Sequence, residues 1–139
     1  MQKRSKIILG IDPGTRKAGF AVISGDTGAV VELGIEPVEE LLSRAKRLVE
    51  QHKITAVALG TGTNADVLGG ELAGLGLPVK LVDERETTLR ARGLYFADHP
   101  PRGWRRLIPL GMQLPPRPID DYAAVLIGRR YLEERNNSR

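Results

Sequence analysis

Residues 7–23, IILGIDPGTRKAGFAVI, constrain the fold more than any other part of the chain. Two apolar runs flank Asp-Pro-Gly-Thr, in which proline presets one backbone angle and glycine accepts a positive φ, so the stretch reads as two strands joined by a turn. The first run is apolar at nearly every position, the pattern of a strand covered on both faces. Sheets built from such strands place ligands beyond the strands' carboxyl ends, and Asp12 stands at that end. A carboxylate there has two readings: a turn residue bonded to its own backbone, or a group that meets a ligand.

The order of the remaining signals predicts a mixed sheet. Strand-like runs at 6–12, 18–24 and 29–35, separated by turn residues, predict an antiparallel meander. Pro37 suits the first turn of a helix, and Leu41, Leu42, Ala45, Leu48 and Val49 share one helical face, so a helix is expected to about His52. ITAVALG gives a fourth strand, a glycine-punctuated helical stretch follows at 66–76, and PVKLVD gives a fifth strand. Helices are expected from 84 to about 98 and over 119–134, the last with Ala123, Leu126, Ile127 and Tyr131 facing inward. Strands separated by helices imply parallel crossovers, hence an α/β fold with a mixed five-stranded sheet flanked by helices. With 139 residues and no internal repeat, the chain reads as one domain over 1–139.

Composition limits the setting. The absence of cysteine excludes a disulfide framework and a thiolate metal site. The opening MQKRSK is basic, but the apolar run behind it is short and lacks a signal-peptide pattern. No segment approaches the roughly 20 apolar residues of a membrane helix, so the expectation is a cytoplasmic protein with no membrane partner. The net charge of +4 is unevenly spread: residues 1–84 hold ten Lys/Arg against eleven Asp/Glu, and residues 85–139 hold eleven, all arginine, against six. An arginine-rich half suits a polyanion, because the guanidinium fork matches phosphate, and it equally suits a solvated surface. Between the last two helices lies HPPRGWRRLIPLGMQLPPRP, residues 99–118, with six prolines, four arginines and no acid. Structureless loops of this length are uncommon in compact domains and are usually functional or disordered. Trp104, Arg105 and Arg106 within it would combine base stacking with phosphate contact, or Trp104 would anchor the loop on the core.

Three acidic sites end three elements. Beside Asp12 these are VDERETT after the fifth strand and IDDYAAVLIGRRYLE at the start of the last helix. Local structure explains each alone: Asp83 with Glu86 resembles a capping box, and Glu84, Asp120 and Asp121 would favour a helix dipole. Together they could converge at one sheet edge, where like charges at short range disfavour joint ionisation. A hard divalent cation, Mg²⁺ or Mn²⁺, resolves that conflict with oxygen ligands. Two ions about 4 Å apart would clamp the attacking and leaving oxygens of a phosphodiester displacement.

ILGIDPGTRKAGFAVI, VKLVDERETT and IDDYAAVLIGRRYLE, in this order over essentially the whole chain, resemble the YqgF/RuvX family of RNase H-like proteins, whose members are named as pre-16S rRNA nucleases or Holliday junction resolvases. The resemblance implies an RNase H-like sheet and a divalent-metal nuclease site, with Asp12, Glu84 and Asp120 as catalytic and metal-binding residues and Mg²⁺ or Mn²⁺, as two ions, for cofactor. It favours RNA, in processing of the 5′ end of precursor 16S rRNA, over four-way DNA junctions. Two segments depart from the family pattern: LGTGTNADVLGG replaces a loop containing Gly-Leu-Pro, and the proline-rich loop is longer than expected. Candidate nucleic-acid contacts are therefore Thr15, Arg16, Lys17, Thr61, Thr63, Asn64 and Arg85, together with Trp104, Arg105 and Arg106.

Two other classes share some of these features. Sugar kinases and actin-like ATPases use a similar strand-turn-strand opening, but they need a second phosphate loop and a duplicated domain, and this sequence has neither. A non-catalytic nucleic-acid adaptor would keep the motifs without turnover. A monomer or weak homodimer is expected, because the apolar stripes over 37–52 and 119–134 are needed to cover the sheet.

Overall fold

The computed structural model describes residues 6–83, 87–101, 103, 107 and 118–137. The opening motif forms β1 (Ile7–Asp12) and β2 (Lys17–Ser24), and β3 (Val30–Pro37) completes the meander. Then follow α1 (Val38–His52), β4 (Ala56–Gly60), α2 (Ala65–Ala73), β5 (Val79–Val82), α3 (Thr87–Asp98) and α4 (Asp120–Asn137). The five strands lie in the order β3-β2-β1-β4-β5. β1 pairs antiparallel with β2 and parallel with β4; β2 with β3 is antiparallel, and β4 with β5 parallel. This is the mixed sheet that the sequence predicts, with β1 at its centre.

Strand alternation sorts the apolar side chains between two layers. Leu9, Ile11, Phe20, Val22, Val57 and Leu59 pack with Leu41, Ala45 and Leu48 of α1 and Leu68 and Leu72 of α2. On the opposite face Ile8, Ala58 and Val82 meet Ile127, while Ala21 and Ile23 meet Ala124 and Val125. α3 lies outside α4, joined to it through Ala91, Tyr95, Phe96, Tyr122 and Ala123. α4 is therefore buried on two sides, where the sequence predicts one inward face. Tyr122, Ala123, Ala124, Val125 and Ile127 are all buried.

Element ends differ from the expectations for local reasons. Pro37 ends β3 with φ −57° and ψ 143° and stands just before α1 rather than in its first turn. α2 stops at Ala73, and the chain turns through Gly76 at φ +78°. Glu86, the second half of the expected capping box with Asp83, lies outside the described residues. At the far end of the β2–β3 hairpin, Arg129 Nε of α4 donates to the Gly28 carbonyl at 2.9 Å across 101 residues of sequence. Among the described residues no helix is long and apolar enough to cross a membrane.

Candidate carboxylate site at the end of the central strand

Two glycines set where α4 meets the sheet. Ile8, Gly10 and Asp12 share the α4 face of β1, and Gly19 stands opposite Asp12 in the β1–β2 register. The helix lies so close that a Cβ at Gly10 would run into the Ala124 carbonyl oxygen, and one at Gly19 into the Asp120 carbonyl oxygen. Four helix residues rise about 6 Å and two strand residues about 6.6 Å, so the two steps match. The helix start, with Asp120, thus falls over the strand pair that carries Asp12. Two residues 108 positions apart are brought to one corner by the absence of a side chain at Gly19.

The electrostatics separate Asp120 from its neighbour. Asp120 is half-buried, and that burial pushes its carboxyl above the usual range; Lys17 opposes the rise and Asp121 adds to it. Asp121 is 3% exposed, and its Oδ1 accepts from the Tyr122 backbone N–H at 3.0 Å. Asp121 therefore belongs to the packing of α4, while Asp120 reaches the edge. Asp12 is also half-buried and has interaction partners.

The other expected contacts surround the same edge or lie outside the described residues. Thr15, Arg16 and Lys17 are exposed in the turn between β1 and β2 and at the start of β2. Thr61 and Thr63 are exposed beyond β4, which runs parallel to β1 and ends on the same side. Asn64 is half-buried, and its Nδ2 donates to the Gly14 carbonyl at 3.1 Å. β5 ends at Val82 on this side too, with its carbonyl accepting from the Thr61 N–H at 3.2 Å. Glu84, Arg85, Trp104, Arg105 and Arg106 lie outside the described residues.

The donors fit a hard divalent cation. Asp12 and Asp120 offer carboxylate oxygens, the ligand type such ions take, and the raised carboxyl of Asp120 means that its charged form is undercompensated by protein groups alone. Among the described residues no three His, Cys, Asp or Glu side chains gather into a metal-sized group. The third expected ligand, Glu84, is outside that set.

Three features of the fold are not among the sequence expectations. Gly10 and Gly19 could have been marked, since glycine inside a strand often signals close approach of another backbone. The bond between Asn64 and Gly14 spans 50 residues and has no local signature. His52, expected only to offset a helix dipole, reaches across to β3: its Nε2 donates to Glu32 Oε1 at 3.0 Å, and Arg44 Nη2 reaches Glu32 Oε2 at 2.8 Å.

Relatives identify the family of the chain, and structural neighbours its fold. No protein-family model matches the chain. The "Putative pre-16S rRNA nuclease" of Azotobacter vinelandii is 32% identical, covering 94% of this chain and 95% of that one. A protein of the same name from Pelotomaculum thermopropionicum is also 32% identical, over 95% and 90%. Thermus thermophilus RuvC in complex with a Holliday junction substrate superposes with a TM-score of 0.57 at 16% identity, over 96% of this chain and 97% of that one. The large terminase nuclease of the thermophilic phage G20c with bound magnesium gives 0.59 at 18%, over 91% and 82%. Those two likenesses establish the fold, which is RNase H-like. With relatives above 30% identity over nearly its full length, this chain belongs to the YqgF family, the proteins named for pre-16S rRNA nuclease activity.

Proposed function

We propose that the chain is a divalent-metal-dependent phosphodiesterase that cleaves RNA, with precursor 16S rRNA as its substrate. The observation that carries this reading is the approach of Asp120 to the Asp12 strand pair over Gly19. Strands can end in aspartate for turn chemistry alone, but a turn residue does not need a helix seated against it through a side-chain-free position. The names of the relatives support RNA as substrate. The fold agrees with either nucleic acid.

Asp12, Asp120 and Glu84 would hold Mg²⁺ or Mn²⁺, as two ions. When bound, such ions supply positive charge for the attacking and leaving oxygens of the phosphodiester. The chain's own residues do the rest. Thr15, Arg16 and Lys17 lie exposed beside the carboxylates and would take the backbone phosphates, with Lys17 close enough to Asp120 to act on its charge. Thr61 and Thr63, exposed on the neighbouring parallel strand's end, offer hydroxyls to ribose or phosphate. Arg85, Trp104, Arg105 and Arg106 would extend the contact by phosphate pairing and stacking. The protein would work in the cytoplasm in ribosome assembly, as a monomer or weak homodimer, since Leu41, Ala45 and Leu48 of α1 are spent on the core.

A side-by-side assay tests the proposal: single-stranded RNA, structured precursor rRNA and a four-way DNA junction, each with Mg²⁺ or Mn²⁺. RNA cleavage that disappears in both Asp12→Asn and Asp120→Asn is the expected result. Paired symmetric nicks in the junction with RNA left intact would replace this reading by a resolvase. Tight RNA binding with no cleavage under any metal would replace it by a non-catalytic adaptor.

A further inference from the structure

Asn64 sits at the N-cap of α2, a position where asparagine ordinarily turns its side chain back onto the helix's first free N–H groups. Here it does not: no side-chain cap bond forms, and the backbone adopts φ 72° and ψ 10°, the left-handed region. Among the described residues Lys53 is the other non-glycine residue with positive φ, and there the conformation ends α1, with its N–H bonded to the Val49 carbonyl. Asn64 ends no helix. It accepts an unfavourable backbone and forgoes its cap, and what it makes instead is one bond, Nδ2 to the Gly14 carbonyl at 3.1 Å. Strain of this kind persists only where surrounding structure imposes it, and it collects at functional sites.

The recipient of that bond is the turn that leaves Asp12. Its carbonyls are held from two independent directions: Gly14 by Asn64 from the β4–α2 loop, and Arg16 by the Val38 N–H at 2.9 Å from the start of α1. Thr15, between them, is exposed. We infer that Asn64 is a positioning residue whose side-chain amide clamps Gly14, so that the β4–α2 loop fixes the turn carrying Asp12 and the phosphate contacts Thr15 to Lys17. This rests on the nuclease reading for its catalytic consequence, though not for the clamp itself. It differs from the expectation that Asn64 touches substrate: the donor end of its amide is committed to the protein.

Two variants test this. Asn64→Gly accepts the left-handed backbone without strain and removes the amide; Asn64→Asp keeps the shape and sets a carboxylate against the Gly14 carbonyl. In both, amide hydrogen exchange over residues 14–17 should quicken at least fivefold while exchange in β1 and β4 stays as in the wild type. On RNA, kcat should fall about 10- to 100-fold with KM within twofold, since misplacement by about 1 Å suffices for such losses. Unchanged exchange over 14–17 in both variants would overturn the clamp. A rise in KM with kcat intact would overturn it in favour of a substrate contact. If the wild type cleaves nothing, the nuclease reading falls, and the exchange measurement alone decides whether Asn64 holds the turn.

Discussion

Gly19→Ala is the substitution whose outcome follows most directly from the packing. The added methyl group would meet the carbonyl oxygen and carbon of Asp120 and the N–H of Asp121, all backbone atoms that cannot swing aside as a side chain would. An ordinary contact needs about 3.4 Å, so the start of α4 must lift by roughly an ångström or the β1–β2 pair must bend. Overpacking of this sort costs about 1–3 kcal/mol. For a domain of this size each kcal/mol lowers Tm by roughly 3–5 °C, so a fall of about 3–15 °C is expected by calorimetry. Activity should suffer beyond stability. Lifting Asp120 away from Asp12 by about 1 Å should lower kcat roughly 100-fold at temperatures where the variant is still folded. Gly70→Ala in α2 is the counterpart: no atom lies within 4 Å of the added carbon, and the helical backbone suits alanine. It should gain about 0.5–1 kcal/mol with no change in cleavage. A Gly19→Ala protein with wild-type Tm and wild-type kcat would refute the claim that α4 seats on Gly19 and thereby sets the carboxylate corner.

Other outcomes are expected from the charges. Asp120→Asn removes a charge that burial disfavours while keeping the side chain's volume, so it should melt above the wild type in metal-free buffer at neutral pH and cleave nothing when Mg²⁺ or Mn²⁺ is supplied. The His52 hydrogen bond, with help from Arg44 and against the opposing effect of burial, holds the Glu32 carboxyl below the usual range. A lowered pKa means that Glu32 contributes stability above the ordinary glutamate range and loses it as the pH falls through its lowered folded-state value. Glu32→Gln should therefore cost about 1 kcal/mol at pH 7, and the gap to the wild type should close once the pH has fallen below the lowered carboxyl value; a gap that persists in acid would rule out the ionic origin. Replacing Arg105 and Arg106 together by alanine should weaken RNA affinity and flatten its salt dependence by about two phosphate contacts, with kcat at saturation unchanged.

What could be read from the sequence was whatever local pattern encodes. β1, β2 and β4 announce themselves because a strand covered on both faces has no polar positions, and α1 because its single buried stripe repeats at the helical period. α4 was legible as a helix but not in its burial, since a helix gripped by the sheet on one side and by α3 on the other has no polar face along Tyr122 to Ile127 for the period to expose. The acids of the candidate site stood out through their positions at element ends. Their convergence on one edge is expected from those positions, but the way Asp120 is brought to the Asp12 strand pair is not, because it depends on Gly19 and Gly10, whose contribution is the side chain they lack. Nor is the use of Asn64, whose partner is 50 residues away.

The chain order of the sheet also fixes when the site can exist. The β1–β2–β3 meander is made of neighbours in sequence and can close early, since short loops cost little entropy. α4, by contrast, docks across separations of about a hundred residues, as its bond from Arg129 to Gly28 illustrates. On that order of contacts Asp12 would sit on its hairpin before Asp120 docks, and the carboxylate corner would be completed by α4. A state with its sheet paired but α4 undocked would expose Ile8, Ala21 and Ile23 to water and hold half of the proposed metal site. Catalytic competence would then appear in the same step that hides the most aggregation-prone face of the sheet, so a partly folded copy of this protein would have nothing to cut with.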